Sequence, residues 1–295
     1  MVARRRSATG RTRWATLGVT ATVRRAEMSD EAVIYEVSEG VATLTLNRPE
    51  RMNAWNASLD QAMSASLAAA RDDDAVRAII VTGAGRAFCA GADLGGGADT
   101  FAGREDSDAG SNFAQLWPYE VPKPVIAAIN GPAVGIGMTY PMLCDVRIAA
   151  ETAKLGFVFT RRGMMPELAA HTIVQRVAGF SNAAHLLMSG RIVTGAEAAE
   201  LGIVSKAVPK ETLLDTARAM ASEYRYAAPV SVAVTKRLLW EGMHTGVSAM
   251  RDREDEVFSW IGNQADAREG VLSFLEKRDP DWKLSAARDL PEGFA

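Results

Sequence analysis

Two stretches combine small residues in a way that could do chemistry through the backbone: residues 85–94 (GRAFCAGADL) and residues 129–138 (INGPAVGIGM). Each follows an apolar run, and their glycines let a ligand approach the main chain closely. Backbone N–H groups held in such segments can act as fixed donors to an oxygen that gains negative charge. Either stretch alone also reads as a tight turn between a strand and a helix. Neither ends in Gly-Lys-Ser/Thr, so a phosphate loop is excluded. Gly83 and Gly85 lack the third glycine and the strand-end acid of a dinucleotide site. One carboxylate, Glu167, follows Pro166 at the head of a segment (166–178) whose apolar spacing predicts a helix. Such a group can exchange protons, although an acid in a first helical turn also complements the macrodipole. His171, four residues on, would share its helical face and orient it. Two cysteines, Cys89 and Cys144, and three histidines show no metal-ligand spacing and no disulfide framework. No Gly-x-Ser-x-Gly elbow is present for a nucleophilic serine.

The elements that must position these groups are visible as alternating patterns. Residues 41–46 (VATLTL) alternate like a half-buried strand, and residues 57–71 place Leu59, Ala62, Met63, Leu67 and Ala70 at helical spacing. Residues 77–82, 124–129 and 145–150 read as buried strands. The strand–helix–strand rhythm implies right-handed crossovers and a layered α/β domain. Past about residue 170 the pattern becomes mainly helical, without a Pro/Gly-rich linker. The chain has 295 residues, 48% apolar and 23% charged, long enough to bury a large core. No apolar run reaches the length of a membrane-spanning helix, and a reducing, cytoplasmic setting is expected. The net charge of −3 conceals an asymmetry: residues 1–28 carry seven arginines against Glu27, leaving −9 for the remainder. That basic leader has little to bury and is expected to be disordered, as a transit segment or an upstream extension ahead of Met28. An acidic body argues against nucleic acid as a partner.

Taken in order, LNRPERMNAW (46–55), GRAFCAGADL (85–94), PKPVIAAINGPAVGIGM (122–138), LCDVRIAAETAKLGF (143–157) and RRGMMPE (161–167) resemble the crotonase (enoyl-CoA hydratase/isomerase) superfamily, as do APVSVAVTKRLLWEG (228–242) and EGVLSFLEKRDPDW (269–282). The resemblance covers roughly residues 31–282. It implies an α/β, ClpP/crotonase-like spiral of ββα units over residues 29–225, preceded by the leader 1–28 and followed by a helical trimerisation region over 226–295. Homotrimers, or hexamers built as dimers of trimers, are implied. So is an acyl-CoA thioester as substrate, with coenzyme A entering as part of it and no separate cofactor or metal.

By motif position, the N–H groups of Ala90 and Ile136 become the oxyanion donors, Ile136 at the start of a helix whose positive end faces the thioester oxygen. Coenzyme A contacts fall on Arg51, Asn53, Ala54, Ala90, Ala92, Asp93, Leu94, Ile136 and Thr139. Arg48 joins Arg51 as a candidate for the CoA phosphates; Lys236, Arg237 and Lys277 are candidates from a neighbouring subunit. The best-known hydratases of the superfamily carry two glutamates on the pocket wall, where this chain has Thr139 and Phe159. Isomerases of the superfamily carry a single proton-shuttling glutamate at the position of Glu167. Trp117, Tyr119 and Tyr140 are candidate acyl-pocket residues, and the polar stretch 95–112, with Asp99, Glu105, Asp106 and Asp108, reads as a pocket flap. The leading expectation is therefore an enoyl-CoA hydratase/isomerase with Glu167 as acid/base. A non-catalytic acyl-CoA binder and a thioester hydrolase, the latter needing Thr139 as nucleophile, are the alternatives.

Overall fold

A computed structural model describes residues 24–25, 32–101 and 115–294. Its strands are β1 (Arg24–Arg25), β2 (Val33–Ser38), β3 (Val41–Leu46), β4 (Ala78–Gly83), β5 (Val125–Ile129), β6 (Ala133–Val134), β7 (Val146–Ala150), β8 (Lys154–Gly156), β9 (Ile192–Thr194) and β10 (Lys206–Val208). Its α-helices are α1 (Ala57–Asp72), α2 (Ile136–Met142), α3 (Ala170–Ala178), α4 (Phe180–Ser189), α5 (Gly195–Glu200), α6 (Leu213–Glu223), α7 (Pro229–Glu241), α8 (Val247–Gly262) and α9 (Ala265–Glu276).

The large sheet runs β1-β2-β3-β4-β5-β7-β10. From β3 to β10 neighbouring strands are parallel, while β2 is antiparallel to both of its neighbours. A small second sheet, β6-β8-β9, lies beyond it. Strand alternation sorts the core into two layers. Ile79, Val81, Val125, Ala127 and Ile129 join α1 on one face; Ala78, Ile80, Ile126 and Ala128 join α6 on the other. Both faces of β4 and β5 are thus covered, which is why they read as unbroken apolar runs.

α1 begins where the Asn56 side chain accepts a hydrogen bond from the Leu59 N–H, 3.0 Å, and buries Leu59, Met63, Leu67 and Ala70. The predicted strands and this helix agree with the structure to within about a residue. The helix predicted over 166–178 does not: α3 starts only at Ala170, because Leu168 and Ala169 both take left-handed backbone, φ 53° and 56°. Within the leader, Arg24–Arg25 pairs with β2; its remaining residues lie outside the described ones, as do residues 102–114 of the expected flap.

The C-terminal helices meet a smaller cluster of their own, Val230, Val234, Val257 and Phe294. They leave Phe258, Val271, Phe274 and Leu275 exposed. No helix among the described residues is long and apolar enough to cross a membrane.

Candidate active site

The site is built at the carboxyl ends of β4 and β5. The segment after β4 and the segment after β5 run side by side: the N–H groups of Phe88 and Cys89 both donate to the Pro132 carbonyl at 3.1 Å, and the Val134 N–H donates to the Cys89 carbonyl at 3.1 Å. Glycines permit this approach. A Cβ on Gly131 would lie 2.1 Å from the Arg86 carbonyl oxygen, and one on Gly137 would lie 2.2 Å from that of Cys89. Both are distances that no side chain tolerates without main-chain movement.

A third segment, residues 48–55, braces the other side. Asn53, fully buried at φ 55°, accepts a hydrogen bond from the Arg48 N–H at 2.9 Å. Its amide donates to the carbonyls of Ala84 and Ala87 at 3.0 and 2.9 Å. Arg48 reaches the Ala54 carbonyl and pairs with Asp93 at 2.9 Å, which holds the Asp93 carboxyl below its ordinary value. Asn53, Arg48 and Ala54 are thus occupied inside the protein.

Between these segments and the turn at 158–167 lies a cavity of about 420 Å3. Ala90, Ala92, Asp93, Leu94, Ile136 and Glu167 line it, as the sequence led one to expect; Arg51, Asn53, Ala54 and Thr139 do not. Arg51 is exposed, and Thr139 is buried with its hydroxyl unpartnered among the described residues. Phe159 stands on the wall at the expected place.

The backbone shifts one expectation. The Ala90 N–H is already donated to the Met52 carbonyl at 3.0 Å, so it is not free to meet a ligand. Two residues on, Ala92 sits in a short parallel bridge with Trp55, in which the Trp55 N–H donates to Gly91 and the Asp93 N–H donates to Trp55, each at 2.8 Å. That pattern leaves the Ala92 N–H without an acceptor among the described residues, while Ala92 lines the cavity. The Ile136 N–H, at the first position of α2, is likewise without an acceptor among the described residues, since the first N–H groups of a helix have no carbonyl one turn back within it.

Glu167 lies in the turn ahead of α3 rather than inside its first turn, so the helical pairing with His171 does not form; His171 is exposed. Glu167 is exposed by surface area, yet the partial desolvation by its surroundings raises its carboxyl above the ordinary carboxylate value, with no ion pair or side-chain hydrogen bond among the described residues to offset it. It is the cavity wall's unpaired carboxylate, since Asp93 is tied to Arg48.

Other candidates fall into structural places. Asp145 accepts from the Val125 N–H and Trp240 Nε1 and pairs with buried Lys236. Arg237 pairs with Glu241. Tyr140 packs against Trp55 and Trp117, ring centroids 4.7 and 6.2 Å apart. Trp117, Tyr119 and Tyr140 all stand off the cavity wall. Burial pushes both cysteine thiols up to about 12, which leaves them inert. The sequence reading missed Trp55, Arg162, Met164 and Met165 on the wall, whereas Phe101 belongs to the stretch read as a pocket flap. The adjacent methionines in RRGMMPE were the available signal: two flexible apolar side chains between a charged pair and a proline fit a loop better than a core.

Comparison with known proteins supplies the context. The sequence profile described as enoyl-CoA hydratase/isomerase matches residues 36–285. A probable enoyl-CoA hydratase of Rhodobacter capsulatus is 37% identical over 255 residues, covering 86% of this chain and 98% of that one. The 1,2-epoxyphenylacetyl-CoA isomerase of Escherichia coli is 34% identical over 258 residues, covering 85% and 98%. The crystal structure of a probable enoyl-CoA hydratase/isomerase from Mycobacterium abscessus superposes with a TM-score of 0.78 at 33% identity, over 90% of this chain and 99% of that one. With its parallel sheet, its paired glycine segments and these relatives, the chain belongs to the enoyl-CoA hydratase/isomerase family of the crotonase superfamily.

Proposed function

We propose that this enzyme moves a double bond in an enoyl-CoA thioester, with Glu167 as its single acid/base and the N–H groups of Ala92 and Ile136 as its oxyanion donors. The observation that carries the reading is the Glu167 carboxyl: unpaired, raised in pKa by burial, and facing the same cavity as the two unspent N–H groups. In a 3-enoyl thioester, the Glu167 carboxylate would take a proton from C2. The electron pair shifts into a dienolate whose thioester oxygen accepts from the Ala92 and Ile136 N–H groups, and the carboxylic acid returns the proton to C4. The 2,3 double bond forms as the 3,4 bond is lost, so atoms and charge balance without a co-reactant. Each such donor is worth about 3–4 kcal/mol of transition-state stabilisation.

A carboxyl with a raised pKa suits both halves of the shuttle. Thr139 and Phe159 cannot supply the second carboxylate of a water-adding site. Of Arg48 and Arg51, Arg51 is the candidate left for the CoA phosphates, since Arg48 is committed to Asp93. The exposed Phe258, Phe274 and Leu275 of α8 and α9 support assembly as a homotrimer or a dimer of trimers.

The test is absorbance of the conjugated thioester, followed with trans-3-enoyl-CoA and trans-2-enoyl-CoA separately. Growth with the 3-enoyl substrate is the expected result. A fall with the 2-enoyl substrate and no growth with the 3-enoyl one would make the enzyme a hydratase and overturn the single-base mechanism.

A further inference from the structure

Among the described residues, two carboxylates line the candidate active-site cavity, Asp93 and Glu167. In the proposed reaction they behave differently while the thioester oxygen gains charge. Glu167 takes up a proton in that step and becomes neutral. Asp93 has no proton to gain and stays negative, one residue along from the Ala92 N–H that meets the oxygen. A fixed negative charge there opposes the charge that the donor is meant to stabilise, and the opposition grows as bound substrate displaces water. The carboxylate also has a local use: one of its oxygens accepts from the Gly95 N–H at 3.1 Å and starts the turn at residues 94–99.

The charge of Asp93 is met from inside the protein by Arg48. The guanidinium donates to the other Asp93 oxygen at 2.9 Å and to the Ala54 carbonyl, and the two charged side chains are only 19% and 21% exposed. Ala54 precedes Trp55 and Asp93 follows Ala92, and Trp55 and Ala92 form the short parallel bridge. One planar fork therefore ties together both sides of the bridge that leaves the Ala92 N–H without an acceptor among the described residues. The Arg48 charge also reaches Cys89, in the segment ahead of the donor, where it acts against the upward push of burial. The other cations nearby do less. Arg51 acts on Asp93 through space, with no bond to it. Arg162, on the opposite turn, bonds only the Arg161 carbonyl among the described residues.

We propose, on the reading that the Ala92 N–H is an oxyanion donor, that Arg48 is a positioning residue for the reaction: it neutralises Asp93 and locks the Trp55–Ala92 bridge. The Ala92 N–H is thereby held toward the thioester oxygen with no net negative charge beside it. Arg48 thus serves the chemical step rather than the coenzyme A phosphates.

Kinetics with trans-3-enoyl-CoA on Arg48→Met and on Arg48→Met/Asp93→Asn test this, with the Tm of each variant measured alongside. Arg48→Met should lower kcat by about tenfold or more, with KM changed less than about threefold. Asp93→Asn in that background removes the charge that Arg48 no longer meets, and should raise kcat again by about fivefold or more. Where Arg48→Met does not fold, Arg48→Gln takes its place, because its amide can still donate to Ala54 or Asp93 while carrying no charge. A double variant no faster than the single one leaves Arg48 a brace and overturns the proposal. A raised KM with unchanged kcat overturns it too, and assigns Arg48 to the coenzyme.

A second readout needs no turnover. The carbonyl stretch of bound 13C-labelled butanoyl-CoA, which has no double bond to move, reports the oxyanion donors without Glu167. Its frequency should fall on binding to the wild type, fall less in Arg48→Met, and recover in the double variant. No fall in the wild type would end the donor reading and this proposal with it. A fall that Arg48→Met keeps in full overturns the role of Arg48 alone.

Discussion

The two walls of the active-site cavity are made by opposite means. In the proposed mechanism the wall after β4 and β5 acts through main chain, and its geometry is enforced by carbonyl oxygens lying where side chains would otherwise be: 2.1 Å from a Cβ at Gly131, 2.2 Å from one at Gly137. The wall at 158–167 would act through one carboxylate in a loosely covered turn, where Met165 is 72% exposed. The first wall should tolerate changes of exposed side chain but no added methyl at its contact points. The second should tolerate changes of packing but not of one functional group.

Breaking the backbone wall has the largest expected effect. Gly137→Ala forces the Cβ into the Cys89 carbonyl and should cost about 3 kcal/mol, at the upper end of overpacking, so that Tm falls by several degrees and activity goes with it. Glu167→Gln should instead lower kcat by about 10²–10⁴-fold while the protein folds normally. Removing a carboxylate that burial disfavours should raise Tm slightly near neutral pH, and that gain should vanish at low pH, where the wild-type carboxyl is protonated too. An unchanged kcat would remove Glu167 from the mechanism.

The same raised pKa sets the pH profile. If Glu167 is the base it must be ionised, so kcat/KM should climb with pH through an inflection raised from the ordinary glutamate value and be lost below it. Ile136→Gly keeps the N–H donor and should change kcat less than about tenfold, against the 10²–10³ that loss of a donor costs. Smallest of all, Met165→Ala should alter the preference among acyl chains a few-fold, with stability within about 0.5 kcal/mol. A collapse of activity in Ile136→Gly would show that this wall works through side chains after all.

How much of this was legible beforehand differs along the chain. β4 and β5 were readable because strands covered on both faces must be apolar throughout, and α1 because its buried residues recur at helical spacing. Which N–H groups beside the cavity are left without an acceptor was not readable. Ala90 and Ala92 are chemically alike, and the choice between them is made by the Met52 carbonyl, supplied by a segment far back in the chain. The false helix start at 166 arose because Pro-Glu before apolar residues satisfies every local rule. Only the left-handed backbone at Leu168 and Ala169, with no glycine to announce it, delays the helix.

The bracing of residues 48–55, 84–94 and 130–137 also has a consequence for how the molecule is made. None of these segments can hold its shape alone: Asn53 needs the carbonyls of Ala84 and Ala87, and those loops need Pro132. The β3–β4–β5 pairing that delivers them is parallel and spans wide separations in sequence. Such contacts close slowly, because the intervening chain must lose its freedom first. The cavity should accordingly take shape late in refolding. Amides such as Cys89 and Ala90 should then exchange their hydrogens only when the whole sheet opens.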